Sequence, residues 1–172
     1  MRKLKRHIIL IVLPILLAFT QTDEYSVKLS YLMKFPKFIT WPENENLSKE
    51  NFKIAIWKSN PFEEIIEETI KGSSLLNMPV QYKVIETLEE IEGHHVLFIP
   101  RPEKEDIDKI IESCNQNHVL SVSERDGFAK KGTLINLIRV SGKIRFEINK
   151  TAVDNNGFKF NSQLYKLAII VE

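Results

Sequence analysis

The chain has 172 residues, 43% hydrophobic and 27% charged, with 24 Lys+Arg against 23 Asp+Glu. That apolar content with almost no net charge excludes intrinsic disorder, and the near balance of charge argues against a strongly basic nucleic-acid binder. The single cysteine, Cys114, excludes an intramolecular disulfide and a multi-cysteine metal site.

Arg2, Lys3, Lys5 and Arg6 precede the apolar run from Ile8 to Phe19, which contains one proline, Pro14. A basic stretch before about a dozen apolar residues is the layout of an export signal, and the run falls short of the roughly 20 residues that cross a bilayer. The expected organisation is a signal peptide over 1–22 and one exported domain over 23–172. A retained anchor or a buried helix is the alternative, because Ala18-Phe19-Thr20-Gln21 is a poor cleavage site. No cysteine follows the run, so a lipoprotein anchor is excluded. Removing the segment takes away four basic and no acidic side chains, which turns the remaining domain net negative.

Apolar residues at spacings of three and four predict a helix from Asp23 to Thr40, kinked or shortened at Pro36. Trp41-Pro42 turns the chain into a polar loop over 43–51. Phe52 to Trp57 reads as a strand, and Asn60-Pro61 opens a helix over Phe62 to Lys71 that ends at Gly72. Val80 to Ile85 is a second strand, followed by a short helix at Leu88 to Ile91. The continuous apolar run His95 to Ile99 predicts a strand covered on both faces. Asp106 to Asn115 is a helix with Ile107, Ile110, Ile111 and Cys114 on one side, and Val119 to Val122 is the next strand. A loop or short helix lies around Gly127-Phe128-Ala129. Thr133 to Val140 and Lys143 to Ile148 flank the hairpin signal Ser141-Gly142. A final helix is predicted over Ser162 to Val171. Alternating helices and strands ending in a hairpin indicate an α/β layered domain around a mixed sheet, with a C-terminal hairpin and a closing helix.

The search for catalytic chemistry is negative. His94 and His95 are adjacent on a strand and point to opposite faces, so they do not easily share a metal. No nucleophile elbow, dinucleotide fingerprint or phosphate loop is present. Cys114, on a helix face with isoleucines, fits a core position better than a nucleophile. The pairs Glu63-Glu64, Glu67-Glu68 and Glu89-Glu90 fit solvated helix faces. No cofactor, metal site or enzyme activity is expected, and a hydrolase centred on Cys114 or His95 ranks last.

The informative stretches are Phe35 to Pro42, Gly127 to Gly132 and Ile144 to Asn149. In the last, Arg145, Glu147 and Asn149 project from one face of a strand while Ile144, Phe146 and Ile148 take the other. Two readings stand side by side. In one, this is a half-buried strand with Asn149 capping the next helix; in the other, the polar row and nearby aromatics form a recognition surface. Trp41 and Phe128 fit either core or contact.

The ordered set Phe35…Trp41-Pro42, Phe52-x-Ile54-x-Ile56, His95 to Ile99, Val119 to Ser123, Phe128-Ala129-x-x-Gly132-x-x-Ile135-Asn136-Leu137, Arg145 to Asn149 and Ser162-x-Leu164-x-Lys166-Leu167-Ala168 resembles the YfiR-like family of exported bacterial regulators. The resemblance spans nearly the whole chain after the export signal. It implies a periplasmic, often dimeric, three-layer α/β/α sandwich without catalytic activity. The best-known member of the family holds an inner-membrane diguanylate cyclase inactive, and release raises cyclic di-GMP and promotes biofilm formation. Well-studied relatives carry several cysteines whose disulfides tie stability to redox state, and Cys114 alone cannot support that mechanism. Lys131-Gly132 also replaces a double glycine. The expected partner is an inner-membrane signalling protein, a cyclase or a sensor kinase, with a second copy of the chain and a small ligand as further candidates and no nucleic acid. Trp41, Phe128, Arg145, Glu147 and Asn149 are the expected partner- or ligand-binding residues. The alternative is a periplasmic small-ligand sensor module with Trp41 lining its pocket.

Overall fold

A computed structural model describes residues 24–101 and 107–172. The expected export signal lies outside the described residues. The described chain begins in helix α1, residues 24–34, and tightens into a 3-10 turn at Phe35–Phe38 before strand β1, Ile39–Thr40. The predicted helix therefore stops short of Thr40. Pro36 has no N–H to continue it, and the chain closes with Ile39 N–H on the Pro36 carbonyl.

Then follow β2 (Phe52–Trp57), α2 (Ile66–Ile70), β3 (Ser74–Leu75), β4 (Met78–Ile85), a 3-10 turn (Leu88–Ile91) and β5 (Val96–Ile99). The second half holds α3 (Ile107–Gln116), β6 (Leu120–Ser123), α4 (Phe128–Lys131), β7 (Ile135–Val140), β8 (Lys143–Asn149), α5 (Lys150–Asn155), β9 (Lys159–Phe160), α6 (Ser162–Leu167) and β10 (Ile169–Val171).

Eight strands form one mixed sheet in the order β10-β8-β7-β6-β5-β2-β4-β3. The five strands from β4 to β7 run parallel; β8 returns antiparallel on β7, β10 lies parallel to β8, and β3 closes the far edge antiparallel to β4. A separate two-stranded ribbon joins β1 to β9.

Both faces of the central strands are buried, which is why β5 reads as a continuous apolar run and β2 as a nearly continuous one, while β6 buries two serines among its apolar residues. Ile54, Ile56, Val96, Phe98, Leu120 and Val122 face Leu29, Leu32 and Phe35 on one side. Ala55, Trp57, Leu97 and Ile99 face Ile107, Ile110, Ile111 and Cys114 on the other. These are the two helical layers of an α/β/α sandwich.

Two predicted helices are shorter than expected. The stretch after Pro61 becomes regular only at Ile66, because Phe62 N–H is bonded to Asn60 Oδ1 and Ile65 sits at φ −125°. The closing helix ends at Leu167, and Ile169-Ile170-Val171 pairs with Glu147, Ile148 and Asn149 as a strand. Three consecutive β-branched residues beside an open sheet edge favour that pairing over about one further helical turn. The β3–β4 hairpin was missed because its turn residues, Leu76 and Asn77, both take positive φ, a conformation that leucine does not announce.

Candidate functional site

Within the parallel strands the order is β4-β2-β5-β6-β7, so the winding direction reverses between β2 and β5. Sheets of this kind bind ligands in the crevice at the carboxyl ends of the strands beside such a reversal. Here α1 reaches that end of the sheet. Tyr25 packs edge-on to Phe62 at 5.7 Å, and Phe62 in turn meets Phe98 at 4.8 Å.

Glu124, fully buried just after β6, accepts from Lys28 Nζ, from the Tyr25 hydroxyl at 3.2 Å and from the Arg101 backbone N–H at 2.8 Å. Lys28 is itself 3% exposed and also pairs with Glu24. Burial opposes ionisation of Glu24, but the hydrogen bond and charge of Lys28, with Arg139 and Arg101, hold its carboxyl below the ordinary range. Burial, the adjacent charge of Glu124 and the hydrogen bond to it push the Tyr25 phenol up to about 12. This end of the sheet is thus joined to α1 by an internal ion-pair cluster.

A second polar system crosses β6, β7 and β8 on the face that carries α4. Ser123, Thr133 and Asn136 have no exposed surface. Asn136 Nδ2 donates to Glu147 Oε2 at 2.8 Å, which leaves its carbonyl to accept from Ser123 Oγ at 2.7 Å. Ser123 has then spent its only proton, so Thr133 Oγ1, 3.0 Å away, must donate to it. The row runs in one direction and ends on the Glu147 carboxylate. Asn149, 6% exposed, donates to the Ala129 carbonyl and accepts from Ala152 N–H, tying α4 to β8 while capping α5.

Four of the five residues singled out from sequence gather on this face. Arg145, Glu147 and Asn149 alternate along β8, and Phe128 is buried at the start of α4. Phe128 also lines a recess of about 220 Å³ with Ile107, Arg125, Asp126, Gly127 and Lys131, and the Arg125 guanidinium lies 5.4 Å from its ring. The outer end of the face is open to solvent. Lys143, Arg145 and Val140 are exposed and Glu147 is half-buried. Register places Ile138 opposite Arg145, Val140 opposite Lys143, and Ile169 beside Glu147. Sequence reasoning missed Ser123, Thr133 and Asn136; the signal was polar residues inside otherwise apolar stretches, Ser121 and Ser123 at alternate positions in β6 and Thr133 and Asn136 around the start of β7.

Trp41 lies in the opposite layer. Its indole N–H donates to the His95 carbonyl at 3.0 Å, and its ring meets Phe52, His95 and Phe158 at 5.8–6.3 Å. It is half-buried and does not line the recess beside Phe128. The His95 imidazole stacks on Phe52 at 4.5 Å and accepts the Lys53 backbone N–H at Nδ1. Burial, with the neighbouring His94 and Lys53, lowers its pKa to about 4. Cys114 is fully buried, and burial alone pushes its thiol up. Among the described residues no group of three or more His, Cys, Asp or Glu side chains could hold a metal ion, and no helix is long and apolar enough to cross a membrane.

Comparison with known proteins agrees with this architecture. The crystal structure of an ABC domain in complex with L-Trp from Streptococcus pneumonia is similar in fold, with a TM-score of 0.52 at 11% identity over 74% of this chain. The match spans 57% of that structure's length, and at this identity it shows the fold alone. No curated protein matches the sequence. The family profile described as YfiR/HmsC-like matches residues 25–169, nearly all of the described structure. The chain therefore belongs to the YfiR/HmsC-like family, whose members act in general as periplasmic regulators with a membrane partner.

Proposed function

We propose that this chain is a non-enzymatic periplasmic regulator that binds an inner-membrane signalling protein, a diguanylate cyclase or a sensor kinase, through the open face of β7, β8 and β10. The observation that carries the reading is the pairing of fixed charge with exposed apolar surface. Val140 and Ile169 are 41% and 44% exposed on the same face as Arg145 and Glu147, and arginine is one of the residue types enriched at the energetic centres of protein contacts. Phe128 and Asn149 shape this face from beneath, and Trp41 contributes to the stability of the opposite layer.

The mechanism is a shift of population. A regulator that binds one conformation of its partner about 1.4 kcal/mol more tightly than the other changes that equilibrium about tenfold. Where the partner is a cyclase, holding it inactive lowers cyclic di-GMP and biofilm formation. The recess beside Phe128, at about 220 Å³, is smaller than the roughly 300–1,000 Å³ of typical small-molecule sites.

Photo-crosslinking from Val140 and Ile169 in the native envelope tests the reading, with Leu76 as a control. Leu76 is 46% exposed but lies in the β3–β4 turn at the far edge of the sheet. An inner-membrane signalling protein joined to Val140 and Ile169 but not to Leu76 is the expected result. Equal crosslinking from all three positions, or none to a membrane protein, overturns it.

A further inference from the structure

Charge is segregated across the fold. Residues 125–150 carry seven Lys/Arg against two Asp/Glu, whereas residues 63–92 carry eight Asp/Glu against two Lys/Arg. The basic stretch builds α4 and the β7–β8 hairpin, towards the β10 edge; the acidic stretch includes α2, β3 and β4, towards the other edge. On the open face, alternate residues of β8 stand about 6.7 Å apart. Lys143, Arg145 and Glu147 therefore read plus, plus, minus along one line, with Val140, Ile138 and Ile169 beside them.

We infer that this face receives an acidic protein segment studded with apolar residues, carrying two carboxylates and then one cation in register with that line. The inference rests on the contact proposed above and names the chemistry of the partner. A helix laid along β8 matches the line, because side chains at i, i+4 and i+8 rise about 6 Å per step. The anchoring of Glu147 favours a protein over an anionic lipid surface. Asn136 ties that carboxylate to the buried row, so it does not swing aside, and a sheet of phosphate headgroups would meet fixed repulsion at the centre of the face. The aliphatic side chains between the charges also require a partner that offers apolar atoms at the same spacing.

The test uses the purified full chain and three defined probes. These are an amphipathic helical peptide with Glu at i and i+4 and Lys at i+8, the same peptide with every charge inverted, and phosphatidylglycerol vesicles. The acidic peptide should shift the backbone amide signals of β7, β8 and β10, and bind at least about tenfold more tightly than its inverted counterpart. Its affinity should fall about tenfold or more on raising salt to ~0.5 M, where exposed charges are screened. Arg145→Glu and, separately, Lys143→Glu should each weaken it about tenfold with an unchanged melting temperature. Equal binding of the two peptides overturns the inference, as does preferential binding of vesicles through this face. Salt-sensitive self-association blocked by the same substitutions also overturns it, by showing a second copy as the occupant. The two proposals fail separately. Envelope crosslinks from Ile169 without peptide binding would retire the acidic segment and keep the contact, while peptide binding without a membrane crosslink would do the reverse.

Discussion

Asn136 and Glu147 oppose one another across the β7–β8 pair, and the 2.8 Å bond between them fixes the direction of every proton in the buried row behind it. The amide offers its N–H to the carboxylate and its carbonyl to Ser123, so a change at this one residue reaches both the core and the surface. Asn136→Ala removes a donor and an acceptor from a site with no exposed surface. It should cost about 1–3 kcal/mol, read from urea unfolding. Asn136→Asp keeps the shape but sets a second carboxylate against Glu147. Its deficit should be larger at pH 7 and shrink as the pH falls and one of the two carboxyls takes up a proton.

Lys28 and Glu124 make a buried pair between α1 and the segment after β6. Removing one partner leaves an uncompensated buried charge, so Lys28→Met should destabilise by about 3–5 kcal/mol. Replacing both, Lys28→Met with Glu124→Gln, should recover part of that loss. Hydrogen exchange across 24–34 should rise in the single variant and fall back in the double.

His95 gives the fold a defined acid sensitivity. Its pKa falls from the ordinary 6.5 to about 4 in the folded chain because the ring is buried. The unfolded chain therefore takes up the proton first as the pH drops. Stability from this group is complete above about pH 6.5 and is lost progressively between there and pH 4, by about 3 kcal/mol in total. His95→Phe, which keeps the stacking on Phe52 but cannot titrate, should remove this part of the slope. Denaturant midpoints measured from pH 7 to pH 4 decide it; an unchanged slope in the variant would show that other groups carry the acid response.

The layered fold was legible because its central strands are buried on both faces and carry apolar residues at most positions. Val96 to Ile99 and Leu120 to Ser123 lie within a residue of where periodicity puts them. The closing segment was not legible. Leu164 and Leu167 suit a helix face, and only the free edge of β8 turns Ile169 to Val171 into a strand. Alternation alone placed Arg145, Glu147 and Asn149 on one face, and the register confirms it. The link from Glu147 to Ser123 was beyond reach, because it depends on which strands neighbour one another, and so was the Lys28–Glu124 pair, whose members lie 96 residues apart.

Cys114 should behave as an inert core residue. It has no exposed surface, and burial raises its thiol well above the ordinary value. The thiolate is the reactive form, so maleimide at neutral pH should label it only as fast as the chain opens, and labelling should accelerate steeply through the unfolding transition in urea. Oxidants and reductants should leave the melting temperature of the monomer unchanged. Rapid labelling of the folded chain would show that the thiol reaches solvent.

Trp41 and Arg145 separate packing from recognition. The Trp41 ring touches Phe52, His95 and Phe158 and holds its indole N–H on a backbone carbonyl. Trp41→Ala therefore removes packing and a hydrogen bond together and should cost about 3 kcal/mol. Arg145 is exposed on β8, so Arg145→Ala should change stability by no more than about 0.5 kcal/mol. Partner binding should show the reverse order: a loss of about tenfold or more for Arg145→Ala, and little change for Trp41→Ala at temperatures where that variant is folded. Melting curves and binding isotherms on the same two variants suffice. If Trp41→Ala leaves the melting temperature alone and abolishes binding, the recognition surface lies on the aromatic layer and not on the open face of β7, β8 and β10.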